Sequence, residues 1–179
     1  MKIVKKISVI AIIFALLASN NLYSQTKPYK ITLADSMEVM AIGTLITAIY
    51  DLISGPAGER NWTKLRFLCL PNASFVSIKR KPDGSSEYFQ GTIDDYVKKI
   101  DPILSASDYY ENEIERNVQV SDNIANVFST FESSLFAAGG VINQRGTNSF
   151  QLIYKDDRWW IANILWKNEP NEIFSPPKK

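Results

Sequence analysis

Any chemistry this chain performs has to be done without histidine. The 179 residues contain no His and a single Cys. That removes the imidazole acid or base near neutral pH, the Ser-His-Asp and Cys-His nucleophile systems, and His-containing zinc sets. Cys69 alone builds no multi-thiolate site, and its place in the apolar stretch Phe67 to Leu70 fits a buried small hydrophobe better than a reactive thiol. The carboxylates are too dispersed along the chain to suggest a metal, so no metal ligand is assigned. Carboxylate and phenol chemistry remains. A base beside a position where an enolate forms, with Tyr or acidic donors for the developing oxygen charge, has Asp51, Tyr50, Tyr96, Glu111 and Glu113 as raw material. Their spacing singles out none as the base, and no catalytic residue is assigned. The plainer reading of Glu111, Glu113 and Glu115 is a hydrated sheet face at period two.

Binding has more to work with. Arg66 opposed by Glu113 is the best polar pairing, either as a bridge between helix and sheet or as an arginine fork that orients a ligand carboxylate when Glu113 shifts away. Asn148 and Gln151 fall on opposite faces of an ideal strand. Asn148 shares its parity with Phe150, Leu152 and Tyr154 and is taken as the inward one. Trp62, Tyr96, Phe150 and Trp160 can line an apolar pocket with polar edge groups, or equally plug a core. Trp159 and Trp160 are adjacent on a strand and must face opposite ways, with Trp160 placed inside. Gly55, Gly58 and Gly139-Gly140 lack the strand context and the lysine of a phosphate loop, and no basic groove accompanies the exposed rings, so neither nucleotide nor nucleic acid is expected.

The elements that must position these residues change period midway. A capping box at Thr32 and Asp35 opens a helix whose Ala41, Leu45, Ala48 and Leu52 stripe is widened by Ile42, Ile46, Ile49 and Ile53, so something covers most of its circumference. Ser54 to Gly58 breaks it, and Glu59 to Leu68 restarts as a shorter helix. Phe75 to Lys79 and Glu87 to Gln90 read as strands around the Pro82-Asp83-Gly84 turn. Thr92 with Asp95 caps a helix that places Lys98 and Lys99 in its closing turn and is stopped or bent by Asp101-Pro102. After it the sequence alternates: Tyr110, Asn112, Ile114, Arg116, Val118 and Val120 form a mainly apolar face, opposite Tyr109 and the acidic residues. Further strands are expected over Ile124 to Ala138, Gly146 to Lys155 and Trp159 to Lys167. Helices followed by a strongly antiparallel sheet make an α+β domain, with helices packed on one face of a bent sheet.

The amino terminus reads as an address. Lys2, Lys5 and Lys6 precede the apolar run Ile7 to Ala18, and Ser24 offers a cleavage position. Residues 1–24 are expected to be a signal peptide, 25–169 the domain and 170–179 a flexible tail, with the product exported to the periplasm or outside the cell. The run is short of the ~20 residues that span a bilayer, and no Cys near the cleavage region offers a lipid anchor, so no stable membrane anchor is expected. Loss of three lysines moves the formal charge from +1 to −2, which argues against nucleic acid or an anionic bilayer as the main partner. With one Cys there is no intrachain disulfide, and stability must come from packing.

Taken in order, Ser54-Gly-Pro-Ala-Gly-Glu-Arg-Asn-Trp62, Phe67-Leu-Cys-Leu-Pro-Asn-Ala73, Asp95-Tyr-Val97, Arg145-Gly-Thr-Asn-Ser-Phe-Gln-Leu152, Asp157-Arg-Trp-Trp-Ile161 and Trp166 resemble the nuclear transport factor 2-like superfamily. This is the cone-shaped α+β fold of ketosteroid isomerase, scytalone dehydratase and polyketide cyclases, and the likeness is greatest to small exported bacterial members of unassigned role. The resemblance implies a curved sheet wrapped around the amino-terminal helices and a mostly apolar cavity open at one end. It does not imply a reaction, because the fold carries isomerases, dehydratases, binding proteins and silent partners. The lack of His removes the His-Asp machinery of scytalone dehydratase-like members.

The expectation is therefore an exported domain that binds a small apolar molecule in the cone, without a cofactor. Tyr50, Trp62, Arg66, Tyr96, Glu113, Asn148, Phe150 and Trp160 are its candidate contacts. A protein-interaction or structural domain with a filled cavity and a carboxylate-dependent isomerase, dehydratase or cyclase-like enzyme stand as alternatives. Related folds often pair through the exposed sheet, which makes a homodimer plausible here.

Overall fold

The structure, a computed structural model, describes residues 33–169 apart from Pro82, with side chains from Ala41 onward. The expected signal peptide, the Thr32 cap and the tail lie outside the described residues. Nine elements follow in order: α1 (Leu33–Ile53), α2 (Trp62–Leu68), β1 (Cys69–Arg80), β2 (Ser86–Gly91), α3 (Ile93–Ala106), β3 (Asp108–Ser121), β4 (Ile124–Ala137), β5 (Gly140–Lys155) and β6 (Arg158–Asn168). The sheet order is β2-β1-β6-β5-β4-β3, antiparallel except where β1 lies parallel to β6. The α+β expectation holds, with the helices against one face of the sheet.

α1 buries a broad apolar arc but not most of its circumference as expected, since Ala41, Thr44, Thr47 and Asp51 leave one face exposed. Ile42, Leu45, Ile46, Ile49, Tyr50, Leu52 and Ile53 are all buried in a single core with Phe75, Val127, Phe150, Leu152 and Ile161 of the sheet. At its end, Ser54 and Gly55 fasten the start of β3. The Ser54 hydroxyl accepts from the Glu111 amide at 2.9 Å, and Gly55 exchanges backbone hydrogen bonds with Tyr109 at 2.7 and 2.9 Å. Gly55 has φ +142°, where a side chain is strained, so the break after α1 also serves as a clip for β3.

α3 keeps its Thr92–Asp95 capping box, but it runs through Pro102 to Ala106 rather than stopping at it. Tertiary contacts outweigh the proline: Leu104 is 1% exposed, and its carbonyl accepts from the Gly58 amide at 3.1 Å. Lys98 and Lys99 are consequently mid-helix and not in its last turn.

Two strands carry a register shift that reverses their facing. On β3, Glu113 pairs with Phe131 and Glu115 with Thr130, which leaves Ile114 as the extra residue. On β6, Ile161 pairs with Leu152 and Asn163 with Gln151, which leaves Ala162 extra. Odd-numbered side chains point inward before each bulge, and even-numbered ones after it. A bulge bends its strand and increases the local twist, and both of these change which residues reach the interior.

Gly146 shows how tightly β4, β5 and β6 close. A Cβ there would sit 2.5 Å from the Lys167 carbonyl oxygen and 2.5 Å from Phe131 Cζ. One of these is backbone and cannot move aside. Gly146→Ala is expected to destabilise by about 1–3 kcal/mol through overpacking, read from the midpoint and slope of urea unfolding. A loss below about 0.5 kcal/mol would mean this corner is looser than the geometry requires.

Candidate functional site

The interior contains a cavity of about 120 Å³, bounded by Ile49, Ile53, Leu65, Phe75, Tyr96, Ile100, Leu104, Tyr109, Glu111, Asn148, Phe150, Ile164 and Trp166. Its walls are hydrocarbon and aromatic. The ring of Tyr96 stacks on Phe75 at 4.8 Å and meets Trp166 edge-on at 5.8 Å. The polar groups are concentrated around one carboxyl.

Glu111 is 7% exposed and forms no ion pair among the described residues. The Tyr109 hydroxyl donates a short hydrogen bond to its Oε2, and Asn148 Nδ2 donates to its Oε1 at 3.3 Å. Burial pushes the carboxyl up to about 7, and these two donors only partly oppose the rise. The phenols around it move up as well. Tyr50 rises to about 12, chiefly through burial, and Tyr96 and Tyr109 rise further, each through burial with Glu111's charge adding to it. They therefore act as hydroxyl groups and not as phenolates at any ordinary pH.

Behind Glu111 runs a chain of hydrogen bonds with a single sense. Arg116 grips Glu113 through Nε, at 2.8 Å, and through Nη2, which fixes Glu113 as an acceptor. Ser129 must then donate to Glu113, so its oxygen accepts from Tyr50 at 2.6 Å. The Tyr50 oxygen in turn accepts from Asn148 Nδ2 at 3.0 Å. This chain turns the amide of Asn148 so that its NH2 group, and not its oxygen, faces both Tyr50 and Glu111. Arg116 lies against α1 at Gly43, where a Cβ would stand 2.8 Å from Nη1. The outer ion pair is thus set by a glycine on the helix and a bulge in the strand.

Of the residues singled out from sequence, Tyr96, Asn148 and Phe150 border the cavity, and Tyr50 and Glu113 lie in the chain behind it. Gln151 is exposed, as its opposite parity requires. Three placements are corrected. Arg66 is exposed on α2 and pairs with Asp94 at 2.5 Å, not with Glu113, because the buried positions Leu65 and Leu68 turn it outward. Trp62 stands behind Tyr96, edge-on at 6.4 Å, with Nε1 donating to Asp101 at 2.6 Å, so it supports the wall without forming it. Trp160 points away from the cavity: the guanidinium of Arg158 lies 3.3 Å from its ring centre, and Nε1 donates to the Lys155 carbonyl at 2.9 Å. The bulge at Ala162 sends Trp159 inward instead, and past it brings Trp166 to the cavity.

Glu111 is the largest departure. It was read as part of a hydrated face with Glu113 and Glu115, yet it is buried, while Tyr110 and Ile114 of the supposed apolar face are 41% and 45% exposed. Asp51 lies on the solvent side of α1. Cys69 is 1% exposed, with its thiol pushed up to about 12 by burial, and is an inert core residue.

No sequence-family model matches the chain, and no curated protein matches it. Solved structures do. A protein from Kribbella flavida superposes with a TM-score of 0.62 at 11% identity, covering 77% of this chain and 95% of its own. A candidate scytalone dehydratase from Novosphingobium aromaticivorans gives 0.61 at 15% identity, over 78% of this chain and 89% of its own. An NTF-2 like protein of unknown function from Silicibacter pomeroyi gives 0.51 at 16% identity, over 75% and 98%. At these identities the likeness is one of fold, and the chain adopts the nuclear transport factor 2-like fold.

Proposed function

We propose that this protein binds a small, largely apolar molecule in the interior of its α+β fold, with the molecule's polar group directed at Glu111, Asn148 and the Tyr96 hydroxyl. The observation that carries the reading is a cavity of about 120 Å³ whose mainly apolar wall includes a buried carboxyl. A cavity of roughly 150 Å³ accepts benzene, so a ligand of about one ring or a short branched chain is the right size. Neither Trp62 nor Trp160 plugs the space, which weakens the alternative of a filled domain acting only through its surface. Export remains part of the proposal, resting on the lysine-led apolar run near the amino terminus.

A second reading has its own support. A carboxyl raised to about 7 beside the Tyr109 and Tyr96 hydroxyls suits proton transfer to and from a bound carbon acid, with Glu111 as the base. Pairing of two copies through the outer sheet face is supported by the exposed Tyr110, Phe128, Phe136 and Val141.

Titration calorimetry with toluene, together with native mass spectrometry of the protein from its natural source, tests the binding reading. Saturable one-site binding of toluene, and a retained mass removable by denaturation, are expected. The native spectrum also reports whether the protein is a dimer. An apo mass together with no toluene binding would overturn the proposal. Hydrogen–deuterium exchange into a bound ketone, abolished in Glu111→Gln, would move the assignment to the enzymatic reading.

A further inference from the structure

We infer that the cavity's ligand is a small organic ammonium ion, its charged group against Glu111 and its hydrocarbon body among the rings of Phe75, Tyr96, Phe150 and Trp166. This inference rests on the binding reading above and names the chemical class of the ligand.

The argument begins from a charge without a partner. Glu111 is buried and borders the cavity, yet none of the ion pairs among the described residues includes it. The groups that face it are neutral: Tyr109 on its own strand and Asn148 on β5 hold its oxygens, with Tyr50 of α1 and Tyr96 of α3 nearby and Ser133 of β4 bonded to Tyr109. The next charge, Glu113, is committed to Arg116. Buried carboxylates are ordinarily paired, and this one is left with a cavity where the cation would stand.

Its acceptor capacity is unspent as well. A carboxylate offers about four lone-pair sites, and each Glu111 oxygen receives one hydrogen bond. Among the described residues the Tyr96 hydroxyl makes no hydrogen bond, so it can accept a second N–H from the same group. The remaining wall is aromatic, and ring faces attract a desolvated cation. Among the described residues no Lys or Arg borders the cavity, so an anionic ligand would meet repulsion from Glu111 and no compensating charge. A neutral ligand would leave the carboxylate without a counter-charge and the aromatic faces without a cation to hold.

Calorimetry on the full chain with benzylamine, benzyl alcohol and toluene separates the cases. At pH 8 benzylamine is expected to bind about tenfold or more tighter than benzyl alcohol, the usual advantage of a charge-assisted hydrogen bond. Glu111→Gln should erase that preference while retaining toluene binding. In the wild type, benzylamine affinity should fall about tenfold from pH 8 to pH 6 as the carboxyl takes up a proton around 7, whereas toluene affinity should fall little or rise. This pH comparison needs no variant and decides the matter if Glu111→Gln does not fold. Equal or tighter binding of toluene or benzyl alcohol at pH 8 would overturn the ammonium assignment and leave the cavity reading standing. Failure of all three probes would overturn both.

Discussion

Glu111→Gln is expected to be more stable than the wild type by about 3 kcal/mol at pH 8, and the advantage should shrink to nearly nothing by pH 4.5. The carboxyl sits near 4.5 in the unfolded chain and about 7 in the fold. Between those values the native state binds the extra proton, so unfolding releases it and stability falls as pH rises. The full destabilisation, reached above 7, is about 3 kcal/mol for a shift of this size. Gln removes the charge while keeping the shape. Its carbonyl accepts from the Asn148 NH2 group, and its own NH2 donates to Tyr109, whose hydroxyl rotates to accept. Other groups titrate in the same experiment: Asp83 and Asp95 are held low, mainly by hydrogen bonds from Ser85 and Thr92 respectively, and favour the fold as pH rises through the acid range. They are common to both proteins and cancel in the difference. Urea unfolding at half-unit steps from pH 4.5 to 8.5 gives the comparison. A wild-type stability that rises relative to the variant across this window would mean that Glu111 is paired or solvated in solution.

A carboxyl that weakens its own fold near neutral pH is hard to explain as architecture. A Gln at position 111 would keep the packing and the hydrogen bonds without the ionisation cost, and stabilising substitutions of this kind are accessible to most proteins. A carboxyl in this position fits a group that is offset by something else, and an ammonium ligand would do so by supplying the missing charge. The ion pair behind it is a different case. Glu113 and Arg116 bind each other, and through Ser129 and Tyr50 they direct the Asn148 amide toward Glu111.

Much of the scaffold could be read from residue order, and the reason is physical. α1 is legible as a broad apolar arc, with Ile42, Ile46, Ile49 and Ile53 on one line flanked by Leu45 and Leu52, the Thr92–Asp95 box through two side chains satisfying each other's backbone, and β4 and β5 through strand-forming runs on either side of Gly139-Gly140. Asn148 and Phe150 were placed correctly because β5 keeps its parity between them. Facing was lost wherever a bulge intervened. Ile114 and Ala162 look unremarkable in sequence, since an extra residue in a strand requires no special side chain. Yet each reverses the inward set, which put Glu111 on the wrong face and gave Trp160 the place that belongs to Trp166. A signal was available on β3. Putting the odd-numbered side chains inward buries Tyr109 beside Glu111, and a phenol two residues from a carboxylate on one strand face offers the donor a buried acid needs. The Arg66–Glu113 pairing failed for a simpler reason: exposed Asp94 stands closer, and Arg116 lies three residues from Glu113 on its own strand.

Phe150→Ala is expected to cost about 3–5 kcal/mol, the range for deleting a fully buried ring, and to recover part of that loss when a ring is supplied from solution. Phe150 is 1% exposed, lies opposite Val127 on β4 and Ile164 on β6, and forms part of the cavity wall. Its removal therefore joins the phenyl space to a void that already exists. The neighbours on either side are strand residues held by hydrogen-bonded ladders, which limits collapse and keeps the penalty toward the upper end. The enlarged space should admit a two-ring molecule that the wild type excludes. Naphthalene at a hundred times its dissociation constant would restore about 2.7 kcal/mol, visible as a rise in the variant's melting temperature and absent in the wild type. Loss of stability without naphthalene binding would indicate that the sheet closes over the gap, so that Phe150 holds the wall apart without forming a face a ligand can touch. Equal naphthalene binding by both proteins would show that the native cavity is already larger than about one ring, and the benzyl-sized class of ligands would have to be widened accordingly.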